Sequence, residues 1–208
     1  PYTLLRVVAN RDAYARGFLR QVWEDVGGKL GGTVRYGTSP SNGKVLAVHI
    51  SEPLSRQMWR MNKFSNNVMT RQLLLTVGKE VGGAPGTLRK GRGAVANWLK
   101  ARGIPIQGFR IDNGAGLSRH ARLTTRTLAT LLLDAHASPL RPELMATLPL
   151  AGIDGSMRRR YRQEALQGTA HMKTGLLRGV RSIAGYVHTG AGEELSLIHI
   201  SEPTRLTS

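Results

Sequence analysis

The sequence predicts an α+β fold, an antiparallel sheet with helices packed on it. Apolar residues recur at helical spacing in several segments, and other segments read as short apolar strands. The two kinds mix without the strict alternation that a parallel βαβ sheet requires. At 208 residues, 40% of them hydrophobic, the chain fits one domain with a sizeable core.

Residues 4–8 read as a strand. Residues 12–26 read as an amphipathic helix with Ala15, Phe18, Leu19, Val22, Trp23 and Val26 on one buried face, stopped by Gly27-Gly28. Residues 31–43 are a turn-rich connection, and residues 45–50 form a second strand. Pro53 opens a helix through about Met61. Ser65 caps the next, in which Val68, Met69, Gln72, Leu73 and Val77 face inward up to Gly78. Residues 82–93 are loop, with a helix starting after Thr87 as the alternative, and residues 94–102 are helical. Residues 108–111 are extended. Thr124 caps a helix with Leu128, Leu131, Leu132 and Ala135 inward, and Pro142 sits in the first turn of a shorter one. Gly152 to Gly155 is a turn. The segments around Met172 and over residues 180–187 read as neighbouring strands.

The formal charge is +17, and only seven of the 30 basic residues are lysines. Such a balance favours polyanions. The arginines are scattered, however, and the densest run, Arg158-Arg159-Arg160 with Arg162, is short. With no nucleic-acid motif and 5% aromatic residues, no specific nucleic acid is expected. A basic polyanion-binding module without catalysis is the alternative reading. Cysteine is absent, which excludes disulfides and thiolate metal sites, and the histidines have no metal spacing. No metal and no cofactor are expected.

Three short motifs are candidates for chemistry. In Lys63-Phe64-Ser65-Asn66-Asn67 a hydroxyl and a carboxamide two residues apart can face one cleft. Asp112-Asn113-Gly114-Ala115-Gly116-Leu117-Ser118-Arg119 looks like a tight structured loop. Lys173-Thr174-Gly175 sets an ammonium beside a hydroxyl on a strand, which suits a carboxylate, and its glycine lets another backbone come close.

Taken in this order, with Gly152-Ile153-Asp154-Gly155-Ser156 between the last two, the motifs resemble one family. It is the D-alanyl-D-alanine carboxypeptidases and endopeptidases among the low-molecular-mass class C penicillin-binding proteins. The family's S-x-N matches Ser65 to Asn67, and its K-T-G matches Lys173 to Gly175. Its Asp-Gly-Ser-Gly-Leu-Ser-Arg loop is matched by Asp112 to Arg119, with Asn113 and Ala115 as departures. The resemblance covers roughly Tyr2 to Gly190.

The resemblance implies part of a penicillin-binding or β-lactamase-like transpeptidase domain. It implies serine-type hydrolysis of peptidoglycan stem peptides through an acyl-enzyme, outside the bacterial cytoplasm, with β-lactams as inhibitors of the parent protein. Ser65 would relay protons, Asn67 would bind the substrate's peptide group, and Lys173 would support Ser65 and the terminal carboxylate. Thr174 would bind that carboxylate, Gly175 would leave room for the substrate backbone, and the Leu176 N–H would be an oxyanion donor. Asp112, Gly114 and Gly116 would hold their loop in shape. His171 reads as a packing residue.

The family also needs S-x-x-K, whose serine is acylated. The formal match, Ser41-Asn42-Gly43-Lys44, lies in a turn that runs into a strand, where a nucleophile has no helix start to sit on. The acylating serine is therefore expected outside this chain. Residues 1–194 then form the C-terminal part of the domain. Residues 195–208 resemble a translated sequencing-adapter read-through, and His199 to Pro203 repeats His49 to Pro53 residue for residue. That tail is expected to be non-native, the domain truncated at both ends, and its core partly exposed.

Overall fold

A computed structural model describes residues 10–33, 35, 37–38, 41–162 and 165–201. The chain divides into two compact units, Pro1–Ile50 and Ser51–Ser208. The strand expected at residues 4–8 lies outside the described residues.

In the first unit, helix α1 (Arg11–Asp25) starts where Asn10 accepts a hydrogen bond from the Ala13 N–H at 2.8 Å. Its apolar face is not buried in a core among the described residues. Phe18, Val22, Trp23 and Val26 are all exposed, so spacing placed the helix correctly and its burial wrongly. Residues 45–50 are not a strand: the run is unpaired, and Val45, Leu46, Val48 and Ile50 are exposed. A β-prone run forms a ladder only where another strand offers an edge, and among the described residues none pairs with it.

The second unit begins with α2 (Leu54–Lys63) and α3 (Asn67–Gly82). Asn66, not Ser65, caps α3: its side chain accepts from the Met69 N–H at 3.1 Å. The buried positions of α3 are Leu74 and Gly78, one residue out of phase with the expected Leu73 and Val77. The cause is α4 (Leu88–Ala101), which replaces the second half of the expected loop. Thr87 caps it, accepting from the Lys90 N–H at 3.2 Å. The two helices pack backbone to backbone. A Cβ on Gly91 would meet the Leu74 carbonyl oxygen at 2.3 Å, and one on Gly78 would meet the Gly91 nitrogen at 2.7 Å. Only glycine permits that approach.

Helices α5 (Thr125–His136) and α6 (Arg141–Thr147) follow, then a single 3-10 turn, Gly155–Met157. Strands β1 (Ala170–Leu177), β2 (Val180–His188) and β3 (Glu194–Ser201) form an antiparallel sheet in the order β1-β2-β3. A two-residue connection, Arg178-Gly179, joins β1 to β2, with Gly179 at φ +85° as a tight hairpin requires. The sheet was legible only as β1 and β2. Residues 195–201, expected as a foreign tail, pair along β2 from Val187 to Arg181.

Two small cores fix the sheet. Ala151, Met157, Ala170 and Met172 bury one face against the 3-10 turn. Leu132, Leu148 and Tyr186 bury the other against α5 and α6. The Tyr186 hydroxyl, buried there, donates to the Leu132 carbonyl at 2.6 Å. Glu194 pairs with Arg141, and its other oxygen lies 3.3 Å from His136 Nε2.

Two glycines of α4 should therefore respond oppositely to alanine. Gly93 has nothing within 4 Å of a new Cβ, so Gly93→Ala should stabilise by up to about 1 kcal/mol through helix propensity. Gly91→Ala should destabilise by about 1–3 kcal/mol despite the same gain, because the obstructing atom is backbone. Urea unfolding of the two variants measures both signs.

Candidate active site

The site starts from a turn. Between α2 and α3 the chain must turn within a few residues. Phe64 closes α2, donating its N–H to the Arg60 carbonyl, and the Asn66 N–H returns to the Met61 carbonyl at 2.9 Å. Ser65, held between them, is forced to φ +52°. That left-handed conformation is uncommon for a residue with a side chain and persists only where the surroundings impose it. Here two helices impose it, and the Ser65 hydroxyl is aimed by backbone geometry.

The partner comes from the sheet. Lys173 Nζ donates to Ser65 Oγ in a short hydrogen bond across 108 residues of sequence, and to the Thr174 carbonyl at 2.9 Å. Burial holds the Lys173 ammonium below the ordinary lysine value of 10.5. The pair is thus a partly desolvated cation on a hydroxyl.

Among the described residues β1 is an edge strand, covered on its outer side only near its start. The Met172 N–H points away from β2 and donates to the Pro149 carbonyl at 2.8 Å. By the two-residue alternation of an antiparallel ladder, the backbone groups of Thr174 and Leu176 point to the same outer edge. The Leu176 N–H lies on that edge, and its side chain is exposed. The Thr174 hydroxyl is 3.5 Å from the Ser156 hydroxyl, so two hydroxyls stand side by side. Gly175 pairs with Ser182, and a Cβ on it would meet Ser182 Oγ at 2.4 Å. Its smallness thus serves the sheet itself. A surface cavity of about 560 Å³ opens beside the turn, lined among others by Phe64, Ser156, Arg158 and Arg159.

Asn67 opens α3 and is exposed, with no side-chain hydrogen bond among the described residues. Asp112 is tied to α4: Arg92 donates through Nη2 to its carboxylate at 2.8 Å and through Nε to its carbonyl at 2.5 Å. The Ser118 side chain holds the Asp112 carboxyl below the usual range, partial desolvation opposes it, and Arg92 adds to the lowering. Gly114, at φ +74°, packs its backbone against Leu74 of α3, and Gly116, at φ +71°, turns in open space. The loop is thereby fastened to both helices of the α3–α4 pair. His171 Nδ1 lies 3.1 Å from the Met145 carbonyl, and its ring packs edge-on to His188. Burial, first, and His188 hold its pKa low. Ser41 sits in a turn and no helix starts there. Among the described residues no group of three or more His, Asp or Glu side chains could hold a metal ion.

Sequence reasoning missed one buried contact. Lys63 Nζ lies 2.6 Å from Asp154 Oδ2 and 2.6 Å from the Leu148 carbonyl. Both residues stand inside the quoted motifs, but 91 residues of separation left no local signal that they meet.

The D-Ala-D-Ala carboxypeptidase 3 (S13) family matches residues 1–205. A D-alanyl-D-alanine carboxypeptidase of Actinomadura sp. (strain R39) is 34% identical over 201 residues, 93% of this chain and 37% of that protein. The D-alanyl-D-alanine carboxypeptidase DacB of Haemophilus influenzae is 30% identical over 200 residues, 95% of this chain and 42% of that protein. The solved structure of penicillin binding protein 4 (dacB) from Haemophilus influenzae, complexed with a novel β-lactam, is similar in fold, with a TM-score of 0.80 at 30% identity. It matches 94% of this chain and 46% of that one. The chain spans less than half the length of these relatives.

The lowered Lys173 pKa has a signature in stability. Its folded-state pKa lies below the unfolded value, so between the two the unfolded chain binds the extra proton. Stability from this group is therefore lowest below the folded pKa and rises with pH toward 10.5. Lys173→Met should remove that rise. The urea midpoint of wild type minus that of Lys173→Met should be lowest at neutral pH and rise steadily toward pH 10.5. A difference independent of pH would contradict the burial argument.

Proposed function

The chain belongs to the D-Ala-D-Ala carboxypeptidase 3 (S13) family, and we propose that it forms one wall of a serine-type D-Ala-D-Ala carboxypeptidase and endopeptidase site acting on peptidoglycan. The observation that carries this reading is the Lys173–Ser65 hydrogen bond beside a free strand edge. An extended stem peptide adds to β1 by strand pairing. The Thr174 hydroxyl, with the Lys173 ammonium behind it, takes the terminal carboxylate, and Asn67 binds the peptide group from the α3 side.

The acylating serine, which we place in a longer parent protein, attacks the carbonyl of the penultimate D-Ala. Negative charge develops on that carbonyl oxygen, where the Leu176 N–H is one donor. The C–N bond breaks, and the proton lost by the nucleophile reaches the leaving amine through Ser65, with Lys173 holding its hydroxyl. Water then attacks the ester and releases the shortened peptide. β-Lactams, whose carboxylate and amide carbonyl imitate the peptide end, acylate the same serine and inhibit the parent. Peptidoglycan lies outside the cytoplasm, and we place the protein there, in the periplasm or its equivalent.

We also propose that residues 195–208 are not native. β3 pairs because an open edge of β2 accepts any β-prone segment, and Leu195, Leu197 and Ile198 supply one. Resequencing the coding DNA beyond codon 194 tests this: a different continuation supports it, and the same codons in independent DNA overturn it.

A longer protein that includes the upstream coding region should be labelled by a fluorescent penicillin, while this chain alone should not. Labelling of this chain, lost in Ser41→Ala, would overturn the assignment of the nucleophile to a longer parent protein.

A further inference from the structure

The Lys63–Asp154 contact is placed where it can control the site. Lys63 is the last residue of α2, two before Ser65, and it is 4% exposed. Its ammonium reaches the Asp154 carboxylate and the Leu148 carbonyl, both at 2.6 Å. Asp154 uses its other oxygen to accept from the Leu150 N–H at 2.7 Å. The cation therefore grips both ends of the segment from Leu148 to Asp154.

That segment is in turn bound to β1 just before Lys173. The Pro149 carbonyl accepts from the Met172 N–H at 2.8 Å, and the Ala151 N–H donates to the Ala170 carbonyl at 2.9 Å. The backbone closes the same joint from the other side. Gly155 lies so near α2 that a Cβ on it would meet the Lys63 carbonyl oxygen at 2.6 Å. Ser156, next in line, brings its hydroxyl to Thr174. A second tie runs parallel, from Asn62 Nδ2 to Thr147 Oγ1 at 2.8 Å. Lys63 is thus joined to the residue before Lys173 through hydrogen bonds to the segment from Leu148 to Asp154.

We propose that Lys63 and Asp154 are a positioning pair, which locks the Ser65 turn in register with β1 so that the Ser65 hydroxyl meets Lys173. Neither residue touches the reacting atoms. The pair rests on the reading of Ser65 and Lys173 as the proton relay. Its chemistry suits registration more than stability. A buried ion pair often yields no net gain over an apolar replacement of similar size, but it tolerates one arrangement only. Ser65 needs that help, because its left-handed backbone would relax if the turn could slide.

The double variant Lys63→Met/Asp154→Asn separates registration from simple support. It leaves no unpaired buried charge, and the asparagine still accepts from the Leu150 N–H. The readout on the full 208-residue chain is the titration of the Lys173 side chain by ¹³C NMR of labelled lysine, assigned with Lys173→Arg, together with the thermal midpoint. A registration role predicts a midpoint near that of wild type and a Lys173 titration moved up toward 10.5, as the ammonium leaves Ser65 and gains water. An unchanged Lys173 titration in the folded double variant overturns the proposal. Lys63→Arg, which keeps the charge on a longer arm, serves where the double variant does not fold, with the same two outcomes. The measurement needs no turnover. A moved titration alongside a longer protein that no penicillin labels would retire the enzymatic reading and keep the clamp.

Discussion

The second unit is organised by one requirement: a hydroxyl from a helical turn must meet an ammonium from a strand 108 residues away. Neither partner is comfortable. Ser65 is held at a φ that residues with side chains avoid, and Lys173 keeps its charge where burial disfavours it. Strain of about 1–3 kcal/mol at the serine persists only if the surrounding structure dictates it. Helices α2 and α3 fix the turn, and the two small cores fix the strand. The Lys63–Asp154 pair and the Gly155 contact join the two halves.

That division explains why ordinary features of the fold bear on chemistry. Because β1 is an edge strand, its outer backbone groups can receive a peptide. Because the 148–154 segment covers that edge only as far as Met172, the cover stops just short of Lys173. The Asp112 loop works at greater remove. It ties α3 to α4 through Arg92 and Leu74, and so steadies the helix whose first residue is Asn67. Removing the Asp154 carboxylate alone would leave the buried Lys63 ammonium without its counter-charge, whereas Asp154 itself keeps contact with water.

Local signals in the sequence were sufficient for much of this. Helical spacing found α1, α2, α3, α5 and α6, and a threonine cap fixed the start of α5, while the first turns of α4 were legible only as an alternative to loop. The K-T-G strand and its neighbour were recognisable from their apolar flanks. What failed were properties set by distant partners. The phase of α3 was misjudged because Gly91, not an apolar stripe, decides which residues face α4. Ser65 looked like a cap because a hydroxyl before a helix is usually one, and its positive φ depends on both flanking helices. The run at residues 45–50 has strand composition but pairs with no strand among the described residues. Of the site, the motif residues were legible one by one, while the ion pair that aligns them was not, since nothing local marks Lys63 and Asp154 as partners.

The account turns on Ser65 as a group that moves protons and not merely a surface hydroxyl. The most direct measurement is D-alanine release from a peptide ending in D-Ala-D-Ala, by a longer protein carrying this chain, in wild type and Ser65→Ala. The account predicts a loss of about 10²–10⁴-fold in kcat, the usual worth of a proton-transfer group, with the thermal midpoint preserved. Turnover within a few fold of wild type in a folded Ser65→Ala protein would contradict it.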